Sequence, residues 1–248
     1  MGMDRMDKMV IQADGLHFQK LNEAVREADR AAIDIQGCNG QRYIANGLGG
    51  REITISGTPG NALGAYLDGC KITVFGNAQD ATGDTMNEGE ICIHGSAGDA
   101  TGYAMRGGKI LVEGNTGYRA GIHMKEYKEK IPVLVVGGAA GSFLGEYQAG
   151  GRIVVLGLGM EGGPIVGRFC GTGMHGGKIF LRCNDLPSDL PAQVMAAEAG
   201  PEDRAELREL LADFCREFGR DMEEILDHRF YVLTPNTSNP YKQLYTYN

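Results

Sequence analysis

Short β-branched runs recur along this chain at a nearly constant interval, and that recurrence limits the fold more than any single motif does. They are IDIQG at Ile33, ITISG at Ile53, ITVFG at Ile72, ICIHG at Ile91, ILVEG at Ile110, VLVVG at Val133, IVVLG at Ile153 and IFLRC at Ile179. The steps between them are 20, 19, 19, 19, 23, 20 and 26 residues. A fixed period of this length marks an architecture of stacked repeats. Each run puts two apolar side chains on one face, such as Ile72 and Val74, and is too short to bury that face alone. Stacked on the next copy it completes a continuous core. Its N–H and C=O groups then pair with the neighbouring strands about 4.8 Å away.

Behind the strands runs a second pattern, G-x-x-G-x-x-x-G. It stands as Gly57, Gly60, Gly64, then as Gly95, Gly98, Gly102, then as Gly114, Gly117, Gly121, and again as Gly138, Gly141, Gly145. Glycine at fixed corners supplies positive φ and close backbone approach. The 39 glycines in 248 residues are far above the usual share of about 7%, as such a coil requires. The predicted fold is all-β dominated. It is a right-handed parallel β-helix with one strand and about 19–20 residues per rung, over residues 33–183. Residues 1–32 supply an N-terminal segment and a capping helix. Residues 184–248 supply a linker, helices and an extended tail.

The stretch GLGMEGG from Gly157 contains G-x-G-x-x-G, the spacing of a dinucleotide-binding loop. That reading needs a helix of several turns after the glycines. Gly162, Gly163, Pro164, Gly167, Gly171 and Gly173 would break one. IVVLG is therefore read as the seventh strand of the repeat, with corner glycines behind it.

At the N-terminal end, Leu16, Leu21, Val25 and Ala28 fall near one face of a short helix, placed to cap the first rung. At the other end, Pro201 and the acids after it open a helix carrying Leu207, Leu210, Leu211, Phe214 and Phe218 at helical spacing. Gly219 ends it, and Met222, Ile225 and Leu226 continue on a second helix. Two readings stand for this extension: packing against the coil, or docking onto another polypeptide. The tail from Tyr231, with Tyr241, Tyr245 and Tyr247, suits protein contact.

Charge and cysteine usage exclude several functions. A net charge of −8 argues against a nucleic-acid or anionic-membrane surface. No apolar run is long enough to span a bilayer, and the charged N-terminus MGMDRMDKMV is no secretory leader, so a cytoplasmic location is expected. The cysteines Cys38, Cys70, Cys92, Cys170, Cys183 and Cys215 show no C-x-x-C spacing. They read as reduced, small apolar residues rather than metal ligands. No catalytic constellation stands out, and no catalytic, cofactor or metal residue is assigned. The longest polar insertion, Arg119 to Pro132, holds Arg119, His123, Lys125, Glu126 and Tyr127, and Glu146 and Tyr147 follow in the next rung. Insertions in solenoids gather on one face, so these residues form the candidate partner-contact face, set against a plain solvated loop.

The repeats GNAQDATG, YAMRGGKI, GNTGYRAGIHMKEY and GEYQAGGRIVVLGLG resemble the C-terminal β-helix domain of the glutamate synthase large subunit, above all its separate-chain form. The resemblance runs from Leu16 to Cys183 and includes FYVLTPNTSNPYKQLY. It implies a scaffold without catalytic residue or cofactor of its own. Its partners would be a glutaminase-type amidotransferase subunit and a synthase subunit with FMN and iron–sulfur. The complex would form glutamate from glutamine and 2-oxoglutarate, and the isolated chain could form a homo-oligomer through faces meant for partners. The same repeat resembles the β-helix subunits of formylmethanofuran dehydrogenase and of N-methylglutamate synthase. A further alternative is an autonomous binding protein or enzyme using the Arg119–Tyr147 face.

Overall fold

A computed structural model describes residues 8–160 and 162–236. Nine strands pair in parallel in chain order. They are β1 (Met9–Gln12), β2 (Ala32–Asn39), β3 (Glu52–Thr58), β4 (Asp68–Phe75), β5 (Glu88–Ile93), β6 (Lys109–Val112), β7 (Val133–Val136), β8 (Ala149–Val155) and β9 (Gly176–Leu181). The helix α1 (Phe18–Glu27) lies between β1 and β2. After β9 come β10 (Val194–Glu198), the helices α2 (Pro201–Phe218) and α3 (Met222–Leu226), and β11 (Tyr231–Pro235). β11 pairs antiparallel with both β9 and β10, which completes an 11-stranded, mostly parallel sheet.

The register stacks like on like. Ile33, Ile53, Ile72, Ile91, Ile110, Leu134, Ile153 and Ile179 form one row, and Ile35, Ile55, Val74, Ile93, Val112, Val136, Val155 and Leu181 form a second. Every one of these side chains is buried in one cluster. Pairing does not stop at the strands. Short parallel bridges link Ala78, Ala97, Thr116, Ala140 and Val166 in succession. The corner segments pair as well: Gly83 donates to Leu63, Gly102 to Thr82, Gly121 to Thr101 and Gly145 to Ala120, each at 2.8–2.9 Å. Each repeat is thus tied to its neighbour at several places along its length.

Two features depart from the sequence reading. Ile33 opens the second strand, not the first. β1 pairs Met9 with Ile33 and Ile11 with Ile35, so a strand precedes α1, and the helix sits in the connection, burying Leu21 and Val25 in the core. The short apolar stretch of β1 is hidden in a charged N-terminus. The second feature is the antiparallel pair β10 and β11, strands inside segments read as a linker and an extended tail. Tyr241, Tyr245 and Tyr247 lie outside the described residues. Among the described residues no helix is long and apolar enough to cross a membrane.

The C-terminal helices settle on the sheet itself. The outward row Asp34, Thr54, Thr73 is polar or half-buried, but it continues as Cys92, Leu111, Val135, Val154 and Phe180, all fully buried. These pack with Leu207, Leu211, Phe214, Ile225 and Phe230 in a second core. Gly137 makes room for the helix: a Cβ there would stand 2.9 Å from Phe214 Cζ. α2 starts with Pro201 and with the Asp203 carboxylate accepting the Gly200 N–H at 3.2 Å, and ends on Gly219 at φ 61°.

Candidate functional site

The glycine corners hold two kinds of glycine for two reasons. Gly117 has no room for a side chain, because a Cβ would meet Asp99 Oδ1 at 2.0 Å. That oxygen is there because it accepts the Tyr118 N–H at 2.8 Å. The same device recurs along the stack: Asp80 Oδ1 accepts from Asp99, Ser96 Oγ from Asn115, and Asn115 Oδ1 from Ala139, at 2.7–3.0 Å. A polar side chain from one repeat therefore caps the backbone of the next across a glycine. Gly121, in contrast, has φ +67°, a region costly for residues with a Cβ.

The positive-φ corners also carry side chains outward. Tyr43, Arg119, Phe143 and Phe169 have φ of 57–63°, and Tyr66, His123 and Tyr147 have φ of 54–57°. Non-glycine residues seldom take this conformation, and here one recurs repeat after repeat, held by inter-repeat bonds such as Arg119 N–H to Ser142 O and His123 N–H to Glu146 O, both 2.9 Å. An exposed ridge results, with Tyr43, Tyr66, Tyr147 and Phe169 at such corners and Tyr103 and Tyr118, whose φ is not positive, just before the corners at Ala104 and Arg119.

On this ridge the predicted face divides. Arg119 Nε lies 3.1 Å from Glu146 Oε2, and Glu146 is buried while Arg119 is half exposed. The Arg119 guanidinium also covers the Phe143 ring at 4.9 Å. His123 stacks on Tyr147 at 5.2 Å between centroids and meets Tyr103 edge-on at 5.8 Å. Arg119, His123, Glu146 and Tyr147 form one contiguous patch. Glu126 does not join it. Its carboxylate accepts the Gly151 N–H and Arg152 Nη1, both at 3.0 Å, tying the insertion back to β8. Tyr127 and Lys130 exchange backbone hydrogen bonds in a tight turn, with Lys128 5.3 Å from the Tyr127 ring centroid. Lys125 is exposed. His123 and Glu146 each have other side-chain partners, so the face offers an aromatic and cationic surface and no assembled acid–base pair.

The charged residues best organised in the molecule lie elsewhere. The register aligns Glu52, Lys71, Glu90 and Lys109, and then Arg152 and Lys178, on the sheet edge of α2. Lys178 pairs with Asp203 and Glu206, Arg152 with Glu206, Lys109 with Asp213, and Lys71 with Glu90 and Glu217. From Asp203 to Glu217 the helix rises about 21 Å, and β9 to β4 spans about 24 Å of sheet, so the two charge rows run in step. Hydrogen bonds from Lys178 and Lys109 hold the Asp203 and Asp213 carboxyls below the ordinary range. Glu90, Cys92 and Glu217 present ligand atoms within 4.8 Å of one another. Lys71 Nζ already stands 3.1 Å from Glu90 and 3.7 Å from Glu217, and His94 Nε2 lies 3.4 Å from Glu217. Burial, with both carboxylates, pushes the Cys92 thiol far up. Lys71 offsets part of the negative charge of these two carboxylates. The residue pattern REI, CKI, GKI, GRI at the strand starts carries this row in the sequence, but its counter-charges sit in a distant helix, so the pattern alone does not disclose the pairing.

After β8, past Gly157 and Gly162, the next element among the described residues is the strand β9 rather than a helix. It is not a dinucleotide turn.

Parallel strands paired in chain order, with glycines and polar caps between successive segments, define a sheet-dominated protein built on an 11-stranded, mostly parallel sheet. The chain belongs to the GXGXG motif family, that of the C-terminal domain of the glutamate synthase large subunit, which matches it over residues 8–236. It is 41% identical to the uncharacterized protein MJ1350 of Methanocaldococcus jannaschii, over 98% of each chain. Its fold resembles a chain of the formyltransferase/hydrolase complex (FhcABCD) from Methylorubrum extorquens, solved in complex with methylofuran. The TM-score is 0.59 at 21% identity, covering 80% of this chain and 72% of that one.

Proposed function

We propose that this chain is a non-catalytic structural subunit of an oxidoreductase complex of the glutamate synthase type. It bridges a glutaminase-type amidotransferase subunit and a synthase subunit with FMN and iron–sulfur, and it acts in the cytoplasm. The architecture we assign to it is a right-handed parallel β-helix with corner glycines, including Gly57, Gly60, Gly64, Gly95, Gly98 and Gly102, at its turns. The observation that carries the reading is the family match over residues 8–236. It is supported by a fold shared with one chain of a multi-subunit complex.

The patch of Arg119, His123, Glu146 and Tyr147, with Lys125 and Tyr127 beside it, is the partner-contact face in this reading. Exposed aromatics with an arginine are the side chains that interfaces favour. The opposite choice, the outer face of β5–β9, is already covered by α2.

Native affinity purification from the source cells tests this directly. The expected result is a copurifying amidotransferase-like chain and a flavin spectrum in the eluate. A colourless lone chain, even after mild crosslinking, would refute it. Recovery of formyltransferase and hydrolase chains instead would move the protein to that kind of complex.

A further inference from the structure

The loop after β8 and the segment after β9 enclose a cavity of about 480 Å³, within the range of small-molecule sites, roughly 300–1,000 Å³. Its walls include Gly157 and Gly163 from the loop, Ile165 and Val166 beneath it, and Arg182, His228 and Arg229 on the other side. The arginine in this wall is unusual. Arg182 Nη1 donates to Leu156 O at 3.1 Å, but its Nε is buried without a hydrogen-bond partner. Among the described residues no carboxylate forms an ion pair with Arg182. Burial works against its charge, opposed by Glu224 at longer range. Nε is closed off from the cavity, whereas Nη2 is not sealed and makes no hydrogen bond among the described residues, so Nη2 is the donor a ligand in the cavity can reach. Asp185 and Asn184 line the cavity too, and Arg229 is half committed to Glu198 at 3.7 Å.

We propose that this cavity is a binding site for a small organic anion, with a carboxylate or phosphate group held by Arg182. A charge-assisted N–H bond from the guanidinium suits either oxyanion. Arg229 and His228 add donors, and Ile165 and Val166 cover the apolar part of the ligand. The loop glycines let the backbone come close without a side chain in the way. This site is independent of the partner-contact face and does not depend on the complex being of any one kind.

Isothermal titration of the full chain with succinate and, separately, with inorganic phosphate tests it. The expected result is saturable binding of at least one probe, weakened about tenfold or more by Arg182→Met and more mildly by Arg229→Gln. The exposed Arg208→Gln, remote in the α2–α3 surface, should leave it unchanged. Binding of succinate alone assigns a carboxylate ligand, and binding of phosphate alone a phosphate-bearing one. Should Arg182→Met fail to fold, Arg229→Gln carries the test by itself. No saturable binding of either probe, or equal weakening by Arg208→Gln and Arg229→Gln, would overturn the proposal.

Discussion

Asn115 and Gly138 show how single residues hold neighbouring repeats together. Asn115 Oδ1 accepts the Ala139 N–H at 2.7 Å and stands where a Gly138 Cβ would be, at 2.1 Å. Gly138→Ala should destabilise the fold by about 1–3 kcal/mol through forced overpacking. Asn115→Ala should cost about 1 kcal/mol. The double variant should be more stable than the sum of the two by at least about 0.5 kcal/mol, since the next obstacle, Gly114 O, is 3.0 Å away. Urea unfolding of the four proteins measures this, and simple additivity would contradict the shared space. The glycine spacing was legible in the sequence. That some of these glycines yield to a polar side chain of the previous repeat, and others to positive φ, was not, because the spacing is the same for both. Cysteines give a second check at this scale. Burial pushes Cys38 up to about 11 and Cys170 up to about 12, and Cys183 is the least buried of the six. A disulfide-exchange reagent at about pH 8 should modify Cys183 first, since exposure and thiolate fraction set the rate, with the others reacting only on unfolding. Rapid labelling of Cys92 in the native protein would contradict its burial.

At the scale of elements, α2 is held by its apolar side more than by its charges. Partly exposed ion pairs are worth about 0–1 kcal/mol each, whereas Phe214, fully buried, should cost about 3–5 kcal/mol when truncated to alanine. Thermal unfolding of Phe214→Ala and Lys109→Met should show this contrast. The charges set a pH dependence instead. Asp203 and Asp213 titrate below their ordinary 3.8 in the folded state, so their contribution is complete above about pH 4 and is lost as pH falls through the lower folded values. Asp213→Asn should flatten that part of the acid stability curve, and an unchanged curve would show that the Lys109 pair contributes nothing. Here the sequence was partly legible. The alternation in ITIS and ITVF gives way to unbroken apolar runs in ILV, VLVV and IVVL, which marks strands covered on both faces. The covering element is α2, whose apolar spacing was visible but whose destination was not. β1 escaped notice because its four residues lie among charges and carry no closing glycine.

At the scale of the molecule, three surfaces differ in availability. The inner rows are filled, the outer face of the later strands is closed by α2, and the ridge of aromatic and cationic residues remains open. The family was readable from the sequence because its strand runs and glycine spacings occur together many times over. The candidate partner-contact face was proposed from an insertion, and the structure splits its residues, since Glu126 turns back to Arg152 while Arg119, His123, Glu146 and Tyr147 stay together. The measurement that bears most directly on a scaffold role is crosslinking of the natively purified complex with a lysine-reactive reagent, followed by mass spectrometry. Lys125 and Lys128 are exposed beside the ridge, whereas Lys109 and Lys178 are engaged with α2. Partner peptides joined to Lys125 or Lys128 are the predicted result. Partner peptides joined only to lysines elsewhere, or no partner peptides at all, would contradict it.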